Sequence, residues 1–249
     1  MPSNGSHSRD IRAVVFDWRG TLVSELSPTR WMQEALRRAD RRHDDDAAIE
    51  LLQRIRTADG HPSRLRSPQG NTSAARHAET YHAVFADAGL DSQLSKELFA
   101  VDSDPTYNHF AVDVAATLTA LAEHGCKIGV LSNIHFDIRP YFAEAQLFDL
   151  IDTFVLSSER GIQKPDPAIF RATLSELGTH ATETLMVGDR PSRDGAAVEV
   201  GMPTLLVPSL TDPQQRQLHV VLNAVGANHA AVLPSCGEHV ESAKHAVVA

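Results

Sequence analysis

The sequence predicts an α/β fold: a parallel sheet with helices on both faces, interrupted after its first strand by an all-helical block. Two observations carry that prediction. Between Pro105 and Pro208, short runs rich in Val, Ile and Leu alternate with helix-period segments, the pattern of βαβ crossovers. One more apolar run, residues 11–16, stands near the start, and the stretch from Ser27 to about Ala100 that follows has helical periodicity without strand-like runs.

Residues 1–9 are rich in Ser, Gly and His and read as a frayed end. The strand at 11–16 runs into Asp17, and Gly20 marks a sharp exit from it. A helix is expected at 28–39, with Ser27 as its N-cap and Pro28 at its first position. A second is expected at 47–58, with Ile49, Leu52 and Ile55 on one face. Residues 60–71 hold two Pro and two Gly and form a loop, and helices follow at 72–88 and 94–100.

An amphipathic helix at 112–124 ends at Gly125 and leads into a strand at 127–131. Then come a helix around 137–145, a strand at 153–156, a helix at 167–177, a strand at 184–187, a helix over 194–200 and a last strand at 204–207. After Pro208 the pattern weakens, with a helix only at 214–225.

Composition narrows the function classes. Of 249 residues 42% are hydrophobic, enough for a buried core, and the formal net charge of −9 argues against a nucleic-acid-binding surface. Two cysteines, Cys126 and Cys236, suggest neither a disulfide framework nor a zinc site. With no signal-peptide pattern and no run long enough to span a bilayer, the expectation is a soluble cytoplasmic protein. Lysine occurs only at 96, 127, 164 and 244, so one inside a motif carries more weight.

Four strand ends carry polar clusters. Asp17 ends the first strand, where open parallel sheets form their ligand crevice. A carboxylate there can serve as a nucleophile or a metal ligand, or simply begin a turn. The second strand ends Ser132-Asn133, whose hydroxyl and amide can donate to an anionic oxygen, or cap the next helix. After the third strand, Lys164 precedes Pro165 and Pro167; such a fixed cation can pair with Asp17 and a phosphoryl group, or be a solvated surface lysine. The fourth strand ends Gly188-Asp189, with Asp194 five residues on; two carboxylates in one loop suit Mg²⁺ or cap a helix.

Taken together and in order, Asp17…Thr21, Ser132, Lys164-Pro165 and Gly188-Asp189…Asp194 resemble the motifs of the haloacid dehalogenase superfamily of hydrolases, over roughly residues 11–208. The helical block resembles the helical (C1-type) cap that the family inserts after its first motif. The resemblance implies a Rossmann-like core at 1–21 and 106–208, a cap at 22–105 and an extension at 209–249. It implies a phosphatase acting through an aspartyl-phosphate, with Asp17 as nucleophile. Thr21 and Ser132, with Asn133 beside them, would bind the phosphoryl oxygens, and Lys164 would screen charge. Mg²⁺ would be held by Asp17, Asp189, Asp194 and the backbone carbonyl at position 19. The expected partner is a small phosphorylated metabolite, with no nucleic acid or membrane, and the protein would be a monomer or homodimer.

One position departs from the family pattern. Its phosphatases carry a second Asp two residues after the nucleophile, as general acid and base; here that residue is Arg19. Arginine stays protonated and takes no proton from water. Three readings follow: a Mg²⁺-dependent phosphatase with weakened or altered activity, a catalytically degenerate phospho-ligand or partner-binding protein, and a metal-independent dehalogenase-type C–X hydrolase. His135 is a candidate replacement base or a surface histidine. Lys96, the one lysine of the helical block, is the only cap residue able to form the Schiff base of a phosphonoacetaldehyde-cleaving relative. In the loop 60–66, Arg64 and Arg66 either grip a second anionic group of the substrate or are solvated.

Overall fold

The computed structural model describes residues 11–60 and 63–227; the expected frayed start, His61 and Pro62, Cys236 and the tail from 228 onward lie outside the described residues. Five parallel strands form one sheet in the order β3-β2-β1-β4-β5: β1 Ala13–Phe16, β2 Lys127–Ser132, β3 Thr153–Leu156, β4 Thr184–Gly188 and β5 Thr204–Leu206. β1 is central and fully buried, as its unbroken apolar run requires. Its register pairs Phe16 with Val130 on one side and Val187 on the other, so the ends of β1, β2 and β4 lie at one level.

Alternate residues of each strand feed two apolar layers. On one face Val14, Phe16, Ile128 and Val130 pack with Leu118 and Leu121 of α5 (Val114–Glu123), Phe142 of α6 (Arg139–Glu144) and Val221 and Leu222 of α9 (His219–Val225). On the other, Ala13, Val15, Leu131 and Met186 meet Ile169 and Phe170 of α8 (Pro167–Leu177). Burying a side chain such as Phe16 stabilises by about 1.5–3 kcal/mol. The chain after Pro208 thus continues into the core as far as Ala227, which packs in the first layer.

Between β1 and α5 stand four helices with their own core: α1 Pro28–Arg38, α2 Asp45–Asp59, α3 Ala74–Asp87 and α4 Ser92–Asp102. Ser27, Asp44, Ser73 and Asp91 each accept a backbone N–H at the four N-termini. On α2 the buried residues are Ala48, Leu51 and Ile55, while Ile49 is exposed, so the apolar face is rotated from the expected one. Leu22 and Val23 belong to the sheet's core, and the helical core begins beyond them, with Leu26 packed against it.

Three more differences have local causes. Residues 157–160 form a one-turn helix, α7 (Ser157–Arg160), too short for periodicity to reveal. Asp194–Val200 is a 3₁₀ turn whose first residue is drawn back onto the Arg190 backbone N–H. The last helix starts at His219, because the Asp113 carboxylate takes the N–H groups of Gln217 and Leu218. Among the described residues no helix is long and apolar enough to cross a membrane.

Candidate active site

The carboxyl ends of the strands and the inner side of the helical block enclose a cavity of about 910 Å³. Asp17, Ser132, Asn133, Lys164, Asp189 and Asp194 all line it. The backbone sets this convergence: Asp17 N donates to Val187 O at 2.8 Å, one residue before the Gly188-Asp189 pair.

Lys164 is the charged centre, 1% exposed. Its Nζ donates to Asp17 Oδ1 and Asp194 Oδ1, each at 2.6 Å, and to Leu131 O at 3.0 Å. Asn133 fixes the lysine backbone from both sides, accepting from Lys164 N at 2.9 Å and donating to Lys164 O at 2.8 Å. Its amide oxygen and one of its two N–H groups are thus used to place Lys164, and Asn133 also lines the cavity. Two glycines let the acids approach. A Cβ on Gly20, whose φ is +82°, would lie 2.4 Å from Asp189 Oδ2. A Cβ on Gly188 would lie 2.3 Å from Asp194 Cγ.

Asp17, Asp189 and Asp194 bring carboxylate oxygens within 4.8 Å of one another. Burial, the largest cause, pushes the Asp17 carboxyl well above its ordinary range, Asp194 and Asp189 add to this, and Lys164 works against it. Burial also raises Asp189. Burial pulls Lys164 down, but the two carboxylates outweigh it and the net shift is upward. Lys164 thus pairs with Asp17 and Asp194, Arg190 Nε stands 3.8 Å from Asp189 Oδ2, and Asp189 Oδ1 is buried without a partner. A divalent cation fits this donor set: oxygen ligands, uncompensated negative charge and an orphaned carboxylate atom. The Arg19 carbonyl, two residues after Asp17, accepts no backbone hydrogen bond among the described residues.

Other expected site residues sit differently. Thr21 is fully buried, its hydroxyl has no partner and it does not line the cavity, because the turn closing on Trp18 O folds it inward. The Arg19 side chain turns toward the helical block. It donates to Asp102 O at 2.6 Å, Asp102 Oδ1 at 3.4 Å and Asn108 Oδ1 at 3.2 Å. Arg64 is tied to Asp87 Oδ2 at 2.8 Å and to the end of α2, outside the cavity lining, whereas Arg66 lines it. Lys96 is exposed on α4 and lines no part of the cavity.

His135 is neither a surface histidine nor a free base. It is 6% exposed, stacks on His77 at 3.5 Å between ring centroids, and its Nε2 meets Ser103 Oγ at 2.8 Å. Burial, then His77, push it down to about 3, so it stays neutral near pH 7. His77 Nε2 in turn meets Asp102 Oδ2 at 3.1 Å. Burial would raise the Asp102 carboxyl, but Arg19 and the His77 bond outweigh it and hold it at about 2. Arg19 already supplies the positive charge that this acid needs.

Sequence reasoning missed His77, Asp102 and Gln163. The first two are brought to His135 only by the folding of the helical block. Gln163, next to Lys164, clamps the loop above the strand ends, accepting from Asn71 N at 2.7 Å and donating to Ser67 O at 3.1 Å. The signal available in the sequence was a glutamine immediately before the motif lysine.

The family model described as haloacid dehalogenase-like hydrolase matches residues 11–201. The phosphoglycolate phosphatase of Rhodospirillum rubrum is 30% identical over 203 residues, 79% of this chain and 79% of that protein. Among solved structures, a HAD phosphatase from Thermococcus onnurineus superposes with a TM-score of 0.59 at 23% identity, covering 87% of this chain and 98% of that one. A 2-haloacid dehalogenase from Pseudomonas syringae superposes with a TM-score of 0.56 at 27% identity, covering 79% of this chain and 86% of that one.

Proposed function

The chain belongs to the haloacid dehalogenase-like hydrolases, and we propose that it is a Mg²⁺-dependent phosphatase of a small phosphorylated metabolite, working through a phosphorylated Asp17. The observation that carries this reading is the cluster of Asp17, Asp189 and Asp194, two of them paired with Lys164 and the third with a buried oxygen left unpaired. Similarity to a phosphoglycolate phosphatase supports the same reaction class.

In this mechanism an Asp17 carboxylate oxygen attacks phosphorus in line with the ester oxygen, the P–O bond to the alcohol breaks, and the leaving alkoxide takes its proton from solvent water. Water then cleaves the aspartyl-phosphate, releasing inorganic phosphate and restoring Asp17. Lys164 holds Asp17 in place through Oδ1 and neutralises charge between the acids and the phosphoryl group. Ser132, on the cavity wall, donates to a phosphoryl oxygen. Held by Asp17, Asp189, Asp194 and the Arg19 carbonyl, Mg²⁺ would supply positive charge at the phosphoryl oxygens. No acid stands at position 19, so turnover is expected to be about 10²–10⁴-fold slower than in a site with a positioned proton carrier there.

A second reading, a metal-independent dehalogenase, draws on the 2-haloacid dehalogenase likeness and on Arg19. The crowding of three acids weighs against it, since such a site has no use for the extra negative charge. Phosphate release from phenyl phosphate and chloride release from 2-chloropropionate, each with Mg²⁺ and with EDTA, separate the readings. The phosphatase reading expects phosphate only with Mg²⁺, and none from Asp17→Asn. Chloride released in EDTA would replace it with the dehalogenase. Silence in both assays would leave a phospho-ligand-binding protein.

A further inference from the structure

The cavity is much larger than the transfer of a phosphoryl group requires, and its far wall is apolar. At about 910 Å³ it sits near the top of the range of about 300–1,000 Å³ typical for small-molecule pockets, whereas a two-carbon phosphate would fill only a small part. The wall is built by Trp31, Leu52, Ile55 and Leu65, with Tyr81 continuing it toward the strand ends. Trp31 spends its Nε1–H on Leu98 O at 2.9 Å, so the ring offers the cavity only apolar surface. Tyr81 lies 6.1 Å from Trp31 and stacks on His77 at 4.0 Å, giving a run of ring faces along one side.

Three arginines line the same space without a hydrogen-bond or ion-pair partner among the described residues, one of them Arg56 on α2. The other two are Arg193, half-buried in the loop after β4, and Arg66, on the loop between α2 and α3. By contrast Arg190, in the same loop as Arg193, is held by Glu25 at 2.6 Å. Burial first, then the charge of Arg190, pushes the Arg193 guanidinium down, and Asp17 and Asp194 work against that shift. A buried or half-buried cation in that position is stabilised by an anion that reaches it.

We infer that the substrate is a phosphate monoester whose alcohol part has an apolar or aromatic body and a second anionic group, the body lying against Trp31, Leu52 and Tyr81 and the anion between Arg193 and Arg66. This rests on the phosphatase reading of the same site and deepens it. Arg193 is then a specificity-determining residue that the sequence motifs do not single out.

Calorimetric titration of Asp17→Asn in saturating Mg²⁺ tests the inference without turnover. The ligands are the three carboxyphenyl phosphates, phenyl phosphate and 2-phosphoglycolate. At least one carboxyphenyl isomer is expected to bind about tenfold or more tightly than each of the other two, since one charge-assisted hydrogen bond is worth about that much. Arg193→Gln in the same background should weaken that isomer about tenfold and phenyl phosphate much less. Leu52→Asn should weaken the aryl esters and spare 2-phosphoglycolate. The inference is overturned if 2-phosphoglycolate binds as tightly as the aryl acids, if Arg193→Gln weakens all ligands equally, or if none of them binds. Phosphate release by the wild-type chain is read separately, so failure of the phosphatase reading leaves the binding order as its own result.

Discussion

Lys164 holds two carboxylates and a carbonyl on one ammonium, out of contact with water. Removing one partner of such a group leaves uncompensated buried charge, at a typical cost of about 3–5 kcal/mol. Lys164→Met should lower the free energy of unfolding in urea by about that amount in EDTA, and Mg²⁺ should restore part of it. An unchanged midpoint in EDTA would contradict the charge balance described. Arg19 is a different case: the acid that the family pattern expects is absent, and the arginine instead binds Asp102 and Asn108 across to the helical block. Arg19→Met should cost about 1.5–3 kcal/mol, the range for hydrogen bonds to a charged group, in the same unfolding measurement.

His135 gives the pH dependence. Its folded-state value, about 3, lies below the ordinary histidine value, so the unfolded chain binds the proton more readily. Its contribution to stability is complete above about pH 6.5 and is lost as pH falls from there toward 3, by at most about 1.4 kcal/mol per pH unit. His135→Gln should flatten the decline in unfolding free energy between pH 7 and pH 5. An identical slope in the variant would show that the histidine is not held neutral.

At the scale of elements, the sheet was legible because its strands are short and the inner ones, β1, β2 and β4, are almost entirely buried, which leaves short runs rich in Val, Ile and Leu as signature. The helix starts were legible at Ser27 and Pro167, where capping and proline chemistry act within one turn. Asp17, Lys164, Asp189 and Asp194 could be found because each follows a strand end, and strand ends converge whatever the loops do. What could not be read depends on partners distant in sequence. Asp113 ends the backbone competition at Gln217, 104 residues away. Arg64 and Arg66 are two residues apart, yet Asp87 draws one out of the cavity and leaves the other in it.

Gly20 belongs to this scale too, since its positive φ and its missing Cβ are what let the turn after β1 close on Asp189. Gly20→Ala should destabilise by about 1–2 kcal/mol from the left-handed backbone alone and should blunt the response to Mg²⁺ by displacing Asp189. Unchanged stability together with an unchanged Mg²⁺ response would refute the close approach.

The molecule as a whole joins two cores, one around the sheet and one within the four helices. Among their meeting points are Gln163 under the 67–71 loop and Arg19 against the end of α4. In the proposed function, phosphoryl chemistry belongs to the first core and the choice of substrate to the cavity between them. The division explains why the reaction class could be argued from motifs while the substrate could not: the acids stand at strand ends, but the cavity wall draws on α1, α2, α3 and two loops.

In the proposed function Asp17, Asp189 and Asp194 form one divalent-cation site. Thermal unfolding of the wild-type chain and of Asp189→Asn, each in EDTA and in a graded series of Mg²⁺, tests it most directly. A ligand at 100 times its dissociation constant stabilises by about 2.7 kcal/mol, so the wild-type Tm should climb by several degrees with Mg²⁺ while Asp189→Asn stays level. A wild-type Tm indifferent to Mg²⁺, or an equal rise in the variant, would contradict it.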